Sequence, residues 1–339
     1  METSIVIPLY RSADCLPALM ERLNQLEVPG GFEVIFVNDG SPDRTAAVCR
    51  EWLPRCRFPA ILVDLMRNYG EHNAVLAGYR EARGKWVVNI DDDLQNAPED
   101  VPRLVAHARS GGLDVVYSKY AVKQHEGWRN LGSRFANAVA NLVLQKPRDL
   151  YLSSFRCVSA QVAREVGRYS GPFPYIDGLI TQVTQSYGSL SVHHDPRHSG
   201  ESNYNLRRLA RLWLNMVLNF SILPLRLAIA LGFVMAAVGF VFLLVVIGEH
   251  FVKGTPLGWG SLMGGLVLFC GTQLLVLGGV GEYVGRIFLT TNLKPQSTVR
   301  SIESHQPADW LPDYPGSPGR PRSISPVNLK TASDDAMNP

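Results

Sequence analysis

Trp86-Val87-Val88-Asn89-Ile90-Asp91-Asp92-Asp93-Leu94-Gln95 decides how this chain is read: an apolar run of strand length delivers three carboxylates and an amide to one point. Alternate side chains of a strand point the same way, so Asp91, Asp93 and Gln95 are expected to converge on one ion. Three hard oxygen donors suit Mg2+ or Mn2+, and such an ion keeps positions for a diphosphate. The same residues would also make a solvated acidic turn capping the helix after Pro98.

Working outward, strand-like runs at 4–8, 32–38, 61–65, 86–90 and 114–117 alternate with helical patterns at 16–26, 45–52, 73–82 and 101–108. This rhythm predicts an α/β fold, a parallel sheet covered by helices. Ligands of such open sheets collect at the carboxyl ends of the strands, where Tyr10, Asn38-Asp39-Gly40-Ser41 and Asp91 to Asp93 fall. Beyond Tyr117 a longer helix is expected over about 128–144, with strands near 155–158 and 190–194; this half is read as receiving the acceptor.

Two runs without a charged residue come next, Leu227 to Gly248 and Leu262 to Gly281, each with the ~20 residues that cross a bilayer. Arg207, Arg208, Arg211 and Arg226 precede the first, and Arg286, Lys294 and Arg300 come after the second; Lys253 is the sole Lys or Arg between them. The positive-inside rule then gives a hairpin with both ends in the cytoplasm. Between Asn205 and Ser221, Leu206, Leu209, Trp213, Met216, Val217 and Phe220 share one helical face opposite arginines and asparagines, the pattern of a helix lying in the headgroup plane.

The expected organisation is a cytosolic domain over 1–204, an interfacial helix over 205–223, the hairpin over 224–289 and a disordered cytosolic tail over 295–339, rich in Pro, Ser and Asp. No signal peptide is read at the start, since Ser4 to Pro8 is strand-like and leads into polar sequence. A net charge of +3 on 339 residues argues against a nucleic-acid partner. Five scattered cysteines without a C-x-x-C pair argue for reduced thiols and against a zinc site. His193, His194 and His198 also make a poor metal site, because adjacent strand residues face opposite ways.

Ile7-Pro8-Leu9-Tyr10, Val37-Asn38-Asp39-Gly40-Ser41, Arg67-Asn68-Tyr69-Gly70, Ala82-Arg83-Gly84 and Asp91 to Glu99 together resemble, in order and spacing, a family 2 glycosyltransferase of the GT-A, Rossmann-like fold. Arg197 to Ser202, Pro224-Leu225-Arg226 and Gly281-Glu282-Tyr283-Val284-Gly285-Arg286 extend the resemblance, over about residues 3 to 300, to the polyprenyl-phosphate glycosyltransferases. That branch includes dolichol-phosphate mannose synthase, bactoprenol glucosyltransferase and undecaprenyl-phosphate formamido-arabinose transferase.

The resemblance implies a nucleotide diphosphate sugar as donor, a polyprenyl phosphate as acceptor and membrane lipids as surroundings; a homo-oligomer stays open. It implies that Pro8, Tyr10, Asp39, Asn68 and Asp92 line the nucleotide pocket and that Asp91, Asp93 and Gln95 hold the metal. Lys119, where the family usually has Arg, and Arg129 with Ser133 would meet the phosphates; Arg197, Ser202 and Arg207 would face the acceptor. Four departures stand out: Ser12 for Glu, Asn38 for Asp, Asn203 for Lys and Ser154 for an Asp before Phe155-Arg156. No Q-x-x-R-W motif occurs, which sets the processive polysaccharide synthases aside.

Inversion by single displacement is carried from the family. A phosphate monoester, with its second pKa near ~6, is already largely anionic at neutral pH and needs little deprotonation. Catalysis is then expected from positioning and leaving-group stabilisation, by the metal, Lys119 and Arg129, with Asp149 a weaker choice for orienting the acceptor. A transferase acting on a lipid hydroxyl would need a general base that the motifs do not supply. A non-catalytic lipid-sugar binding module would leave the D-x-D-x-Q set without a purpose.

Overall fold

The computed structural model describes residues 1–120, 150–192, 223–253, 258–292 and 295–307. Among these, eight strands make one sheet: β1 Thr3–Leu9, β2 Phe32–Asn38, β3 Ala60–Leu65, β4 Trp86–Asn89, β5 Val115–Tyr120, β6 Arg156–Ser159, β7 Tyr187–Val192 and β8 Val299–His305. Their order is β7-β5-β6-β4-β1-β2-β3-β8. The helices are α1 Leu16–Asn24, α2 Thr45–Trp52, α3 Glu71–Glu81, α4 Val101–Gly111, α5 Ala160–Gly167 and α6 Ile176–Val183, then the long α7 Leu223–Lys253 and α8 Trp259–Thr291.

Alternation along the central strands builds two cores. Ile5, Ile7, Leu9, Val34 and Phe36 face α1 and α4 residues such as Leu19, Leu23 and Leu104, while Val6, Ile35 and Val37 face α3, α5 and α6 residues such as Leu76, Val162 and Ile180. Full burial of each such side chain contributes ~1.5–3 kcal/mol, so covering both faces explains continuous apolar runs without polar alternation. Close approach at the far end of the sheet explains Ala82-Arg83-Gly84: the Gly84 amide meets Ser4 Oγ at 2.7 Å, and a Cβ there would lie 2.5 Å from the Ser4 nitrogen.

Two expectations change. The sheet is mixed, because β6 inserts antiparallel between β4 and β5, and β8 runs antiparallel to β3. Strand order depends on tertiary pairing, which the hydrophobic period does not encode. The expected disordered tail is ordered in part: Val299–His305 pairs with all of β3. Its polar composition suits an edge strand, whose backbone bonds come from the neighbour and whose charges discourage further pairing. Residues 308–339, the helix over 128–144 and the interfacial helix over 205–221 fall outside the described residues.

α7 and α8 are long and apolar enough to cross a membrane, and none of their most apolar windows is buried within the protein. With 31 and 33 residues they run beyond both expected spans.

Candidate active site

Parallel register gathers the site. Leu9 pairs with Asn38, Asn38 with Asp64, and Val6 with Asn89, so the carboxyl ends of β1, β2, β3 and β4 form one ledge. The Ile90 amide makes the last rung, to the Val6 carbonyl at 3.1 Å, and the chain then turns. Asp91 to Gln95 is therefore not an extended strand continuing its alternation, as the sequence reading assumed. Leu94 takes a left-handed φ of 63° while its side chain stays in the core at 5% exposure. A left-handed leucine costs about 1–2 kcal/mol, and its burial offsets that cost while fixing the turn between Asp93 and Gln95. Arg11, just after β1, has the same strained sign with φ 59°.

The three aspartates do different things. Asp91 Oδ2 accepts from Ser154 Oγ at 2.5 Å and Asn96 Nδ2 at 3.1 Å; both bonds fall on one oxygen, leaving Oδ1 for a ligand. Asp92 Oδ2 accepts from the Tyr10 amide at 3.1 Å and from Ser12 Oγ, tying the β4 turn to the β1 loop. Asp93 Oδ1 accepts from the Gln95 amide at 3.2 Å, within the turn. Burial first, and then the charge of Glu71, pushes the Asp91 carboxyl up to about 6, with Asp93 adding to the rise and the Ser154 hydrogen bond opposing it. Burial likewise raises Asp92 to about 6, against the hydrogen bonds from Ser12 and Tyr10.

Across the ledge, Asp39 is buried and accepts from the Tyr69 and Gly70 amides at 2.7 and 2.8 Å. It holds the Arg67–Gly70 loop against the β2 loop. Burial raises its carboxyl above the usual range, and these two amides oppose the shift. Gly40, with φ 55°, is where the loops touch: a Cβ there would lie 2.2 Å from the Arg67 carbonyl carbon. Tyr10 is 42% exposed at the mouth, and the Arg67 guanidinium lies 4.7 Å over the Tyr69 ring. Pro8 lies within β1, one residue before its end at Leu9, and Asn68 is exposed in the loop.

The donor set suits a divalent cation that also binds a diphosphate. Among the described residues no three His, Cys, Asp or Glu side chains gather in a metal-binding arrangement. Asp91, Asp93 and Gln95 offer two carboxylates and an amide, and Mg2+ is commonly held by one or two carboxylates together with substrate phosphates. Mutual repulsion around Asp91 favours a cation there.

Residues 4–166 match the model described as glycosyl transferase family 2. The whole chain is similar to the undecaprenyl-phosphate 4-deoxy-4-formamido-L-arabinose transferase of Pseudomonas aeruginosa (strain UCBPP-PA14), at 33% identity over 99% of this chain and 97% of the relative. This chain belongs to glycosyl transferase family 2. The protein of the same description from Serratia proteamaculans (strain 568) is 32% identical over 90% of the chain and 95% of the relative. Among solved structures, glucosyl-3-phosphoglycerate synthase from Mycobacterium tuberculosis in complex with Mn2+ and uridine-diphosphate-glucose is similar with a TM-score of 0.48 and 19% identity, over 64% of this chain and 77% of that one. S. aureus TarS 1-349 in complex with UDP-GlcNAc has a TM-score of 0.46 and 20% identity, over 65% and 67%.

In this glycosyltransferase Lys119 is exposed near the end of β5, separated from β4 by β6. Arg129, Ser133, Asp149, Arg197, Ser202, Asn203 and Arg207 lie outside the described residues. The sequence reading missed Asn96, Glu71 and the role of Ser154. Three departures from the family share one explanation: Ser12, Asn38 and Ser154 each put a neutral donor beside a carboxylate, of Asp92, Asp64 and Asp91 respectively. An acidic residue at any of them would face another acid across a hydrogen bond. Asp64 was the readable signal, because an apolar strand carrying one acid needs a partner for it.

Below the ledge a buried ion pair joins Arg156 to Asp177, and Arg156 Nη1 also donates to the Ser153 carbonyl at 3.4 Å. Tyr79 Oη donates to Asn89 Oδ1 at 2.5 Å beside it. A buried charge pair costs desolvation and sets a unique arrangement when satisfied, so Phe155-Arg156 is scaffold under Ser154.

Proposed function

We propose that this glycosyltransferase moves one sugar from a nucleotide diphosphate sugar to the phosphate of a membrane polyprenol of the undecaprenyl type, with inversion. The observation that carries this is the match of the whole chain, both apolar helices included, to undecaprenyl-phosphate sugar transferases. Asp91, Asp93 and Gln95 hold Mg2+ or Mn2+, which when bound neutralises charge on the diphosphate leaving group. Pro8, Tyr10 and Asn68 line the nucleotide pocket, and Asp39 and Asp92 act there by holding its loops. Lys119, Arg129 and Ser133 meet phosphate, and Arg197, Ser202 and Arg207 meet the acceptor. Ser154 offers no general base, which fits a nucleophile that is already anionic.

Placement supports the membrane reading. β1 to β7 precede the two helices and β8 comes after them, yet all belong to one sheet. A pair of helices entering and leaving one domain supports a hairpin with both ends on one side, and the positive-inside rule favours the cytoplasm for that side. An interfacial helix over 205–223, expected from the sequence pattern, then sets the domain at the headgroup plane. Incubating membranes that contain the protein with a panel of nucleotide sugars and undecaprenyl phosphate, then weighing the lipid product, tests the proposal. A new polyprenyl-phosphate-linked sugar is the expected product; a sugar on a lipid hydroxyl, or no lipid product from any donor, overturns it.

A further inference from the structure

We infer that β8, the strand reached only after both apolar helices, is a working part of the donor site, with Thr298, Arg300 and Glu303 as positioning residues for the nucleotide wall. This rests on the donor reading above.

β8 pairs antiparallel with β3 from Ala60 opposite His305 to Leu65 opposite Val299, with a register shift between Asp64 and Leu65. A shift of this kind re-aims the next stretch of chain, here the Arg67–Gly70 wall. There the Met66 amide donates to the Thr298 carbonyl at 2.9 Å, and Arg300 Nη2 donates to the Met66 carbonyl at 3.1 Å. Thr298 also faces the Tyr69 hydroxyl, whose pKa is lowered by hydrogen bonding from Thr298 first and from Arg67 after it. Tyr69 is thus held by Arg67 over the ring and by Asp39 at the amide, with Thr298 beside its hydroxyl.

A second line runs through charge. Asp64 is buried, and Asn38 Nδ2 donates to its Oδ1 at 2.7 Å. Its other oxygen meets Arg50 at 3.0 Å and Arg300 at 4.0 Å, and Arg50 is oriented in turn by Glu303 at 2.8 Å. Without β8 the buried carboxylate would lose Arg300 and a correctly aimed Arg50, and Asn38, which begins the Asn38–Ser41 loop, would lose a fixed partner. Both lines end on the two loops that form the nucleotide wall, and neither reaches Asp91, Asp93 or Gln95. Donor binding is therefore coupled to a segment that the chain delivers only once its membrane hairpin is complete.

The full-length protein in membranes tests this with Thr298→Val, Thr298→Ser and Arg300→Gln. Thr298→Val should raise the donor KM about fivefold, as expected for one lost hydrogen bond, while kcat and the acceptor KM stay within about twofold of wild type. Thr298→Ser should restore the donor KM, and Arg300→Gln should repeat the defect through the second line. Affinity for the nucleoside diphosphate that the donor releases, measured by calorimetry, should fall in parallel, and this reads the wall even if the acceptor has been misidentified. Unchanged nucleotide affinity in both Thr298→Val and Arg300→Gln would overturn the inference. So would equal losses for donor and acceptor with a lowered melting temperature, which would make β8 a general stabiliser.

Discussion

On the nucleotide side of the ledge, Asp39 and Asp64 each use both carboxylate oxygens on protein donors, whereas at the β4 turn Asp91 and Asp92 each accept on one oxygen alone among the described residues. Residues of one chemical type thus differ in what holds them, which sets the loop-tying aspartates apart from the metal ligands proposed at Asp91 and Asp93. The lesson concerns reading acidic motifs: Asp92 sits between Asp91 and Asp93 in the chain but ties loops together as Asp39 does, because its carboxylate is turned to the β1 loop. The division makes separable predictions, since losing a scaffold aspartate should loosen the donor while losing a ligand aspartate should stop the chemistry.

The largest effect is expected from Asp93→Asn, which removes a proposed metal ligand from a turn that Leu94 still fixes. Turnover should fall by about a thousandfold or more, the scale of losing a preorganised charge-stabilising group, with the melting temperature unchanged. Chelation of wild type should do the same and Mn2+ or Mg2+ should reverse it. Wild-type turnover in the variant would erase the contrast between the two sets of aspartates.

Asp39→Asn should act on the other side. An amide in place of the carboxylate turns an NH2 toward one of the two backbone donors of Tyr69 and Gly70, breaking a charge-assisted pair at about 2 kcal/mol. The donor KM should rise about thirtyfold while the metal concentration giving half-maximal activity stays fixed. A changed metal requirement would show that the wall and the turn are one cooperative unit.

How much of this was legible depended on where the physical signal lay. β1, β2 and β3 could be read because burial on both faces leaves continuous apolar runs. Asp91, Asp93 and Gln95 stood out as candidates because carboxylates at a strand end are chemically pointed. Their geometry could not be read, since it depends on a left-handed Leu94, a residue that rarely takes that conformation. β8 was invisible because Val299-Arg300-Ser301-Ile302-Glu303-Ser304-His305 has the polar content of a tail, and its strand character comes from β3. The place of β6 between β4 and β5 is likewise a property of pairing and not of period. Ser12, Asn38 and Ser154 looked like lost functional acids and are donors to three aspartates.

Ser154→Ala sharpens the same contrast at a smaller scale. It leaves Asp91 with the Asn96 bond alone, so the ligand carboxylate loses half of its support. Removing a partner that orients a metal ligand costs about tenfold or more in metal affinity. Mn2+ binding measured by electron paramagnetic resonance should weaken by that factor, Ser154→Thr should recover it, and the donor KM at saturating metal should stay unchanged. Unaltered Mn2+ binding in Ser154→Ala would mean that Asn96 and the turn suffice.

The smallest effect tests whether the scaffold continues beneath the site. His72, in the first turn of α3, has a buried Nδ1 without a hydrogen-bond partner among the described residues and meets the Tyr175 ring edge-on at 5.4 Å. Burial holds its pKa down to about 4, with Arg156 lowering it further and Asp177 opposing both. The unfolded imidazole titrates near 6.5, so between ~6.5 and 4 the unfolded chain binds the extra proton and stability falls as pH falls. The linked loss is up to ~3 kcal/mol, reached only near the lower end of that window. Asp91 and Asp92 work the opposite way, because carboxyls raised to about 6 favour the folded state as pH falls, so the wild-type profile alone is a mixture. Comparing His72→Phe with wild type isolates the imidazole: the two melting temperatures should converge, or cross in favour of the variant, as pH drops from 7 to 4.5. A melting difference that is the same at both values would mean that His72 keeps its ordinary titration, and that the ground below the ledge is not sealed from water.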